Sequence, residues 1–465
     1  MRLFDTEKKG TTVKCEIMAG MTTFFAVCYI LIVNAGMFSD IPGVSFGAVY
    51  IGTAVATILG TLILALLTDL PIVQSTGLGV NAFFIYTCCR TFGFSYANSL
   101  MFVLLDGIIF LILTVTGLRK IIYEALPKCI NKAIPAGICI FISFIGFQNA
   151  KIIVPDSETC LALNSFSLLL GKWPQLMPFI VAMLTLISMV VMHRKNIKGS
   201  IFISIILGSI LYYILGLTVP GCFSHISINF DPWQAFREFY DISFLKVFRD
   251  GFDFSHYLSQ NGATLWSLSV TFITTVFAFC MLNMYDSLGT LFGLCRLAGL
   301  TETDKNGKET VPNLNKAMMS DAIATCIGAI CGTSTQTFFM ESATGIGAGG
   351  RTKITGITVC VLFALAMFFS NLCALIPPCV CNTALIFIGI LMIGDIAEII
   401  SKDITETMPA FITVFMMTFT CNVSYGIGLG LISYVLIKIF MGKGKEIKPV
   451  TWIVFLLFVI LMITH

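Results

Sequence analysis

Gly332-Thr333-Ser334-Thr335-Gln336-Thr337-Phe338-Phe339-Met340-Glu341-Ser342, running on to Gly350, is too polar and too rich in glycine for a plain lipid-facing helix. A second stretch, Pro71-Ile72-Val73-Gln74-Ser75-Thr76-Gly77-Leu78-Gly79, has the same character. Both read as interrupted spans. Backbone that is not helical at membrane depth leaves N–H and C=O groups in need of partners, so it survives only inside protein or beside a watery cavity. Paired breaks in corresponding places of two halves are the best sequence pointer to a transporter's binding site. A short extended piece followed by a half-helix would offer a ligand free backbone groups and a local positive dipole. Taken alone, Gly345 to Gly350 fits close helix packing through small residues equally well.

The rest of the chain supports a membrane setting. Of 465 residues, 57% are hydrophobic and 11% charged, and mean hydropathy is +0.93, whereas soluble domains carry about 25% charged residues. Runs such as Ile17 to Met37, Ala48 to Leu67, Phe179 to Met192 and Ile201 to Leu217 approach or reach the roughly 20 residues a helix needs to cross a bilayer. The net charge of +3 is spread over loops, so no nucleic-acid surface is implied. The 17 cysteines lie mostly inside apolar runs, without paired CxxC elements, and read as small buried hydrophobes; no metal, cofactor or disulfide is assigned to them.

Basic residues gather in alternate loops and so predict orientation. The lead-in Met1 to Cys15, Arg119 to Lys132, His193 to Lys198, Arg296 to Lys316, Arg351 to Lys353 and Lys402 are expected on the cytoplasmic side. Ser39 to Gly47 and the acidic stretch Gly221 to Gly262 are expected outside. The lead-in reads as a cytoplasmic segment without a secretory cleavage site. About fourteen crossings fit the apolar runs. After Lys402 three apolar stretches follow, Ala410 to Cys421, Tyr425 to Phe440 and Trp452 to Thr464, and whether the first two form one broken span stays open.

The chain also resembles itself. Thr22-Thr23-Phe24-Phe25-Ala26-Val27-Cys28 recurs as Thr274-Thr275-Val276-Phe277-Ala278-Phe279-Cys280, which sets Asn34 opposite Asp286. Thr76-Gly77-Leu78-Gly79-Val80 recurs as Thr344-Gly345-Ile346-Gly347-Ala348. With an odd number of spans per half, the second copy enters from the opposite face, the inverted-repeat plan of secondary transporters. The organisation expected is a cytoplasmic segment 1–16, a first repeat 17–220, an extracytoplasmic loop 221–262 and a second repeat 263–465.

Two carboxylates stand at membrane depth, Asp286 in the eighth span and Glu341 at the break of the tenth. Placing an ionised acid at a helix centre costs about 2.5–3.5 kcal/mol even on a lenient scale, so such acids are functional candidates. Protonation relieves that cost, and a proton that comes and goes with conformation couples substrate to the proton gradient. An ionised neighbour would accept the N–H donors of a neutral heterocycle. The structural alternative for Asp286 is a helix cap after a break. Asp321 reads as an N-terminal cap, and Asp106 and Asp395 as helix-packing hydrogen bonders; none is assigned as a ligand.

At these residues the sequence resembles the AzgA-like branch of the nucleobase-cation symporters, within the xanthine-uracil permease superfamily. The matching text includes Gly10-Thr11-Thr12-Val13, Glu16 to Phe24, Gly77 to Phe84, Tyr285 to Leu291, Gly332 to Thr335, Glu341-Ser342-Ala343, Gly349 to Thr352 and Met408 to Phe411. The resemblance implies an all-α polytopic fold of fourteen spans in two inverted repeats of seven, core and gate domains, and a homodimer. It implies hypoxanthine, guanine or adenine as substrate, imported with protons across the cell membrane. Asp286 and Glu341 become the anchors for purine and proton and Asn81 a support from the third span, with Gly77, Thr335 and Ser342 also at the substrate. Departures lie close by: Asn283 stands where the family has an acid, Gln74-Ser75-Thr76 where it has a proline-containing approach, and Tyr285-Asp286-Ser287 where it has Phe-Asp-Thr. They leave the preferred purine and the number of titrating groups open.

Two rivals fit less well. An anion exchanger of this architecture would want a basic residue in the cavity in place of Glu341 and Asp286. An intramembrane aspartyl protease would match Tyr285-Asp286, but Met392-Ile393-Gly394-Asp395 lacks the first glycine of its second motif, and no HExxH or GxSxG occurs.

Overall fold

The computed structural model describes residues 9–117, 126–156, 160–164, 173–218, 231, 233–261, 264–303, 309–311, 313–394 and 403–464. Residues 221–230, 232 and 262 of the acidic loop 221–262, the basic residues near 119, Asp395 and Lys402 lie outside them.

Helices dominate, and polar caps set where several begin. Thr12, Ser45, Ser95 and Thr264 each accept a backbone N–H of the first turn of the helix they precede, which satisfies donors the helix itself cannot. The first half comprises α1 (Val13–Val27), α2 (Tyr29–Phe38), α3 (Phe46–Leu67), strand β1 (Gln74–Thr76) and α4 (Leu78–Ala82). After π-helical turns Phe83–Thr91 come α5 (Tyr96–Thr116), α6 (Lys128–Asn149), a β2–β3 hairpin (Ile153–Asp156, Cys160–Leu163), α7 (Trp173–Arg194) and α8 (Ser200–Thr218). The second half opens with the unbroken α9 (Leu265–Leu297) and the small β4–β5 pair (Glu302–Thr303, Glu309–Thr310). It continues through α10 (Leu314–Ile330), β6 (Gln336–Phe338), α11 (Ser342–Gly347), α12 (Lys353–Ala366), α13 (Thr383–Leu391), α14 (Ile404–Phe419), α15 (Val423–Phe440) and α16 (Pro449–Thr464).

Nine helices among the described residues are long and apolar enough to cross a membrane, and three more apolar helices are shorter. Large apolar side chains such as Leu66, Val115, Leu217, Val361, Phe411 and Ile453 face outward. An apolar exterior of this extent is a liability in water and the expected surface in lipid.

The two breaks meet. β1 pairs antiparallel with β6 in the register Gln74↔Phe338, Ser75↔Thr337 and Thr76↔Gln336. Two further backbone bonds extend the ladder, Gly77 N–H to the Thr335 carbonyl at 3.1 Å and Phe339 N–H to the Val73 carbonyl at 2.9 Å. Threonines on the neighbouring helices close the outer edges. Thr61 on α3 donates to the Gln74 carbonyl (3.2 Å) and accepts its N–H (3.1 Å), while Thr325 on α10 donates to the Gln336 carbonyl (3.2 Å). Extended backbone is thus tolerated here because partners are built in. Gly332 begins the second break at φ +74°, and a Cβ there would come within 2.4 Å of Ser243 Cβ, so both conformation and space require glycine.

Small residues set the helix contacts. A Cβ on Gly107 of α5 would meet Cys326 of α10 at 2.6 Å, and one on Gly60 of α3 would meet Ala324 of α10 at 3.0 Å. On another side of the molecule, Gly137 and Gly146 of α6 face Met417 of α14 and Ile386 of α13. The C-terminal ambiguity resolves the same way: Gly426 abuts Met417 and Gly430 abuts Thr413, so α14 and α15 form an antiparallel hairpin and not one broken span.

The second internal match does not follow the elements. Thr76 ends β1 and Gly77 follows it, whereas Thr344-Gly345 lies inside α11; as the first residues of their strands, Gln74 and Gln336 are the corresponding positions. A short match of small residues drifted because Gly and Thr recur on every packed helix.

Candidate functional site

Glu341 stands where β6 gives way to α11, at the N-cap position, yet its side chain makes no cap hydrogen bond. It receives one from the phenol of Tyr29 instead. Tyr29 is the first residue of α2, at the kink left where α1 stops at Val27, and is fully buried. Its ring packs against Phe339, with centroids 6.3 Å apart.

Asp286 comes from inside the continuous helix α9, so it is not a cap. Its Oδ2 lies 3.2 Å from the point where a Cβ on Gly77 would be, and Thr337 atoms lie 3.1 Å from the same point. The Thr337 side chain and the Asp286 carboxylate thus face the same point at Gly77. Asp286 and Glu341 are near enough for their charges to interact, and both are partly open to solvent. The break at β1, the break at β6 and an unbroken helix therefore bring two acids, a phenol, a hydroxyl and a glycine to one place.

One side of this place is open. Past Asp286 on α9, Gly289 and Gly293 are exposed, as are Met340, Thr344 and Gly347 opposite. A Cβ on Gly289 would meet nothing within 4 Å. The opening runs toward the Leu297 end of α9. Toward the Leu265 end aromatic rings fill the interior, Phe83 against Phe279 at 4.7 Å and Phe38 against Phe84 at 4.9 Å.

The other expected residues surround the centre at one remove. Ser342 accepts the Val73 N–H at 3.1 Å, and Thr335 gives its carbonyl to Gly77 while its hydroxyl turns to Asp106 at 3.4 Å. Both hold the strand pair. Asn81 donates to Asn34 at 2.7 Å, and Asn34 donates to Thr53 and Thr333; the Asn81 Oδ1 is buried without a hydrogen-bond partner.

Asp321 departs from expectation. It lies within α10, whose N-cap is Asn313, and is fully buried beneath Ser287 at 2.7 Å. Helix α10 starts earlier than the apolar pattern suggests, so the acid falls in its interior. Asp106 bonds across α5 and α9, as expected of a helix-packing residue. Tyr29 and Thr337 were not legible as site residues. The one available signal was a lone phenol directly after the repeated Thr22–Cys28 segment. Glu16, quoted with Arg351-Thr352 among the matching motifs, proves to be buried and accepts the Arg351 N–H (2.8 Å) and the Thr355 hydroxyl (2.5 Å), which ties α1 to the start of α12.

Broken, strand-paired helices meeting an intramembrane acid pair define a multi-pass membrane transport protein. Residues 14–429 match the Permease family. The chain belongs to that family and is a permease, not an enzyme. It is 33% identical to the guanine/hypoxanthine permease PbuO of Bacillus subtilis, covering 98% of this chain and 99% of that one. It is 31% identical to the adenine permease AdeQ of Escherichia coli, covering 99% and 96%. Among solved structures, the transmembrane domain of the cyanobacterial bicarbonate transporter BicA shares the fold at TM-score 0.59 and 14% identity, over 91% of this chain and 97% of that one. SLC26A9 does so at 0.61 and 12%, over 94% and 66%.

Proposed function

We propose that this permease imports purine nucleobases, hypoxanthine, guanine or adenine, together with protons, by alternating access. The reading is carried by one observation: Asp286 Oδ2 stands 3.2 Å from the point where a Cβ on Gly77 would be, and Glu341 at the other break is near enough to Asp286 for their charges to interact. A purine is flat, uncharged and edged with N–H donors. Carboxylate acceptors satisfy those donors, and the glycine face of α9 leaves room for a ring. The names of the relatives support the same substrate class.

Nine long helices, three shorter apolar ones, α10 and two strand-broken segments give fifteen candidate crossings among the described residues; the fourteen-span plan uses all but one of them. The matched threonine clasps, Thr61 on Gln74 and Thr325 on Gln336, support two inverted repeats at 17–220 and 263–465. Helices α1–α5 and α9–α12 would form the core and α6–α8 and α13–α16 the gate. With the N-terminus cytoplasmic in the cell membrane, the opening beside Gly289 and Gly293 faces inward, as an importer releasing substrate requires. Association as a homodimer completes the proposal.

An anion carrier is the second reading, since the solved structures of this fold named above include a bicarbonate transporter. Two acids at the centre oppose it, because they repel an anion. Uptake of labelled purines by a transport-deficient bacterial host, with and without a protonophore, tests the choice. Saturable purine uptake that collapses with the gradient is expected; uptake of bicarbonate or sulfate without purine uptake would sink the proposal.

A further inference from the structure

Past the aromatic rings that fill the interior, at the end away from the opening, polar contacts fasten two groups of helices together. The chain leaves the first break through α4 into π-helical turns, where Tyr86 is buried. Its phenol oxygen accepts a hydrogen bond from Asn149 Nδ2, at the last residue of α6, at 2.8 Å. Asn149 also donates to Asn382 Oδ1, just before α13, at 3.4 Å. The next residue, Thr87, donates to the Cys421 carbonyl and accepts the Val423 N–H, both at 3.4 Å, at the corner between α14 and α15. On α2 the Ile32 carbonyl accepts the thiol of Cys381 at 3.7 Å. A Cβ on Gly36, one turn further along α2, would lie 3.3 Å from the same sulfur.

Each of these fastenings joins α2 or the turns after α4, on the side that carries the breaks, to α6 or to the segments that open α13 and α15. Tyr86 is fixed on its own side: the Arg90 guanidinium lies 5.0 Å from its ring centroid and pairs with Asp40, just past α2, at 3.5 Å. Between these contacts and the site, Gly79 lets Ile138 of α6 come within 2.6 Å of the point where a Cβ would stand. There the two groups touch through apolar atoms, which can slide without losing a hydrogen bond. At the other end of the molecule, Lys198 Nζ reaches the Thr22 hydroxyl at 3.5 Å. Neutral hydrogen bonds and a thiol contact are individually weak enough to part and re-form, and π-helical turns gather at functional sites.

We propose that Tyr86 with Asn149, Thr87 with the α14–α15 corner, and Cys381 with Ile32 and Gly36 form a clasp that shuts the path between the site and the face away from the opening. The clasp parts each time the site turns to that face. Tyr86 and Thr87 sit on the continuation of the helix that begins at Gly77, so movement of the first break carries both away from their partners together. As α2 withdraws, the buried thiol of Cys381 comes into contact with water. The role of the clasp in uptake rests on the purine reading and on the division into core and gate; its existence as a separable contact does not.

Native Cys381, buried in this state, reads the clasp without any substrate. A membrane-impermeant maleimide added to intact cells is expected to label it slowly in the wild type and faster in Tyr86→Phe and Asn149→Leu, with fragment masses separating it from the other thiols. Unchanged labelling in both variants overturns the clasp. Gly36→Cys gives the converse test, since its new sulfur stands close enough to Cys381 to bond with it. Diamide accepts the two thiol hydrogens as the disulfide forms, and dithiothreitol returns them. The cross-link is expected to form in the resting protein and to abolish purine uptake by cells until it is reduced. The purified cross-linked protein is expected to bind hypoxanthine still, because the site stays open on its other side. Failure to cross-link overturns the geometry, and uptake undiminished by a complete cross-link overturns the gating role. If the wild type takes up no purine, the transport reading fails while the labelling of Cys381 still decides whether the clasp exists.

Discussion

The phenol of Tyr29 donates a hydrogen bond to the carboxylate of Glu341, joining the kink between α1 and α2 to the break before α11. A hydrogen bond to a charged group contributes about 1.5–3 kcal/mol. Tyr29→Phe keeps the ring and its packing on Phe339 and removes only that bond. It is expected to raise the KM for purine uptake about tenfold or more with protein abundance unchanged, measured as initial rates of labelled uptake. An unaltered KM would show that Tyr29 does not position Glu341 for substrate.

Gly77 and Gly289 make a contrasting pair. A methyl group at Gly77 would press on Thr337 and Asp286, whereas one at Gly289 meets open space. Overpacking costs about 1–3 kcal/mol, so Gly77→Ala is expected to lower both thermal stability and uptake.

Gly289→Ala should leave melting unchanged or raise it, since alanine favours a helix over glycine by about 1 kcal/mol. Its effect falls on transport, and more strongly on guanine than on hypoxanthine, because the exocyclic amine enlarges the ring. Competition uptake in membranes of equal protein content reads the difference.

Thr61 serves both the N–H and the carbonyl of Gln74, while Thr325 serves only the carbonyl of Gln336. An unsatisfied buried polar group costs about 1–3 kcal/mol. Thr61→Val is therefore expected to lower the melting temperature in detergent more than Thr325→Val. The reverse order would mean that the strands depend less on their clasps than on each other.

What could be read beforehand follows from local chemistry. Glycine and threonine crowding at Gly332 to Gly350 marked a break because no lipid-facing helix tolerates it, and Glu341 marked itself by the cost of charge among apolar neighbours. The Tyr29 contact was hidden because it spans 312 positions in sequence and a tyrosine in an apolar run costs little. Asp321 was misplaced because a cap and an interior acid look alike when the helix start is uncertain. The Thr344–Ala348 match misled for a related reason, since small residues recur wherever helices pack closely.

The most direct measurement is equilibrium binding of labelled hypoxanthine to the purified protein, wild type beside Glu341→Gln. The amide keeps the size of the carboxylate but presents a donor where the ring N–H needs an acceptor. Loss of binding to below about one hundredth of the wild-type affinity is expected, with melting preserved. Equal affinity in the two proteins would contradict the placement of the purine at Glu341 and, with it, the account of the site.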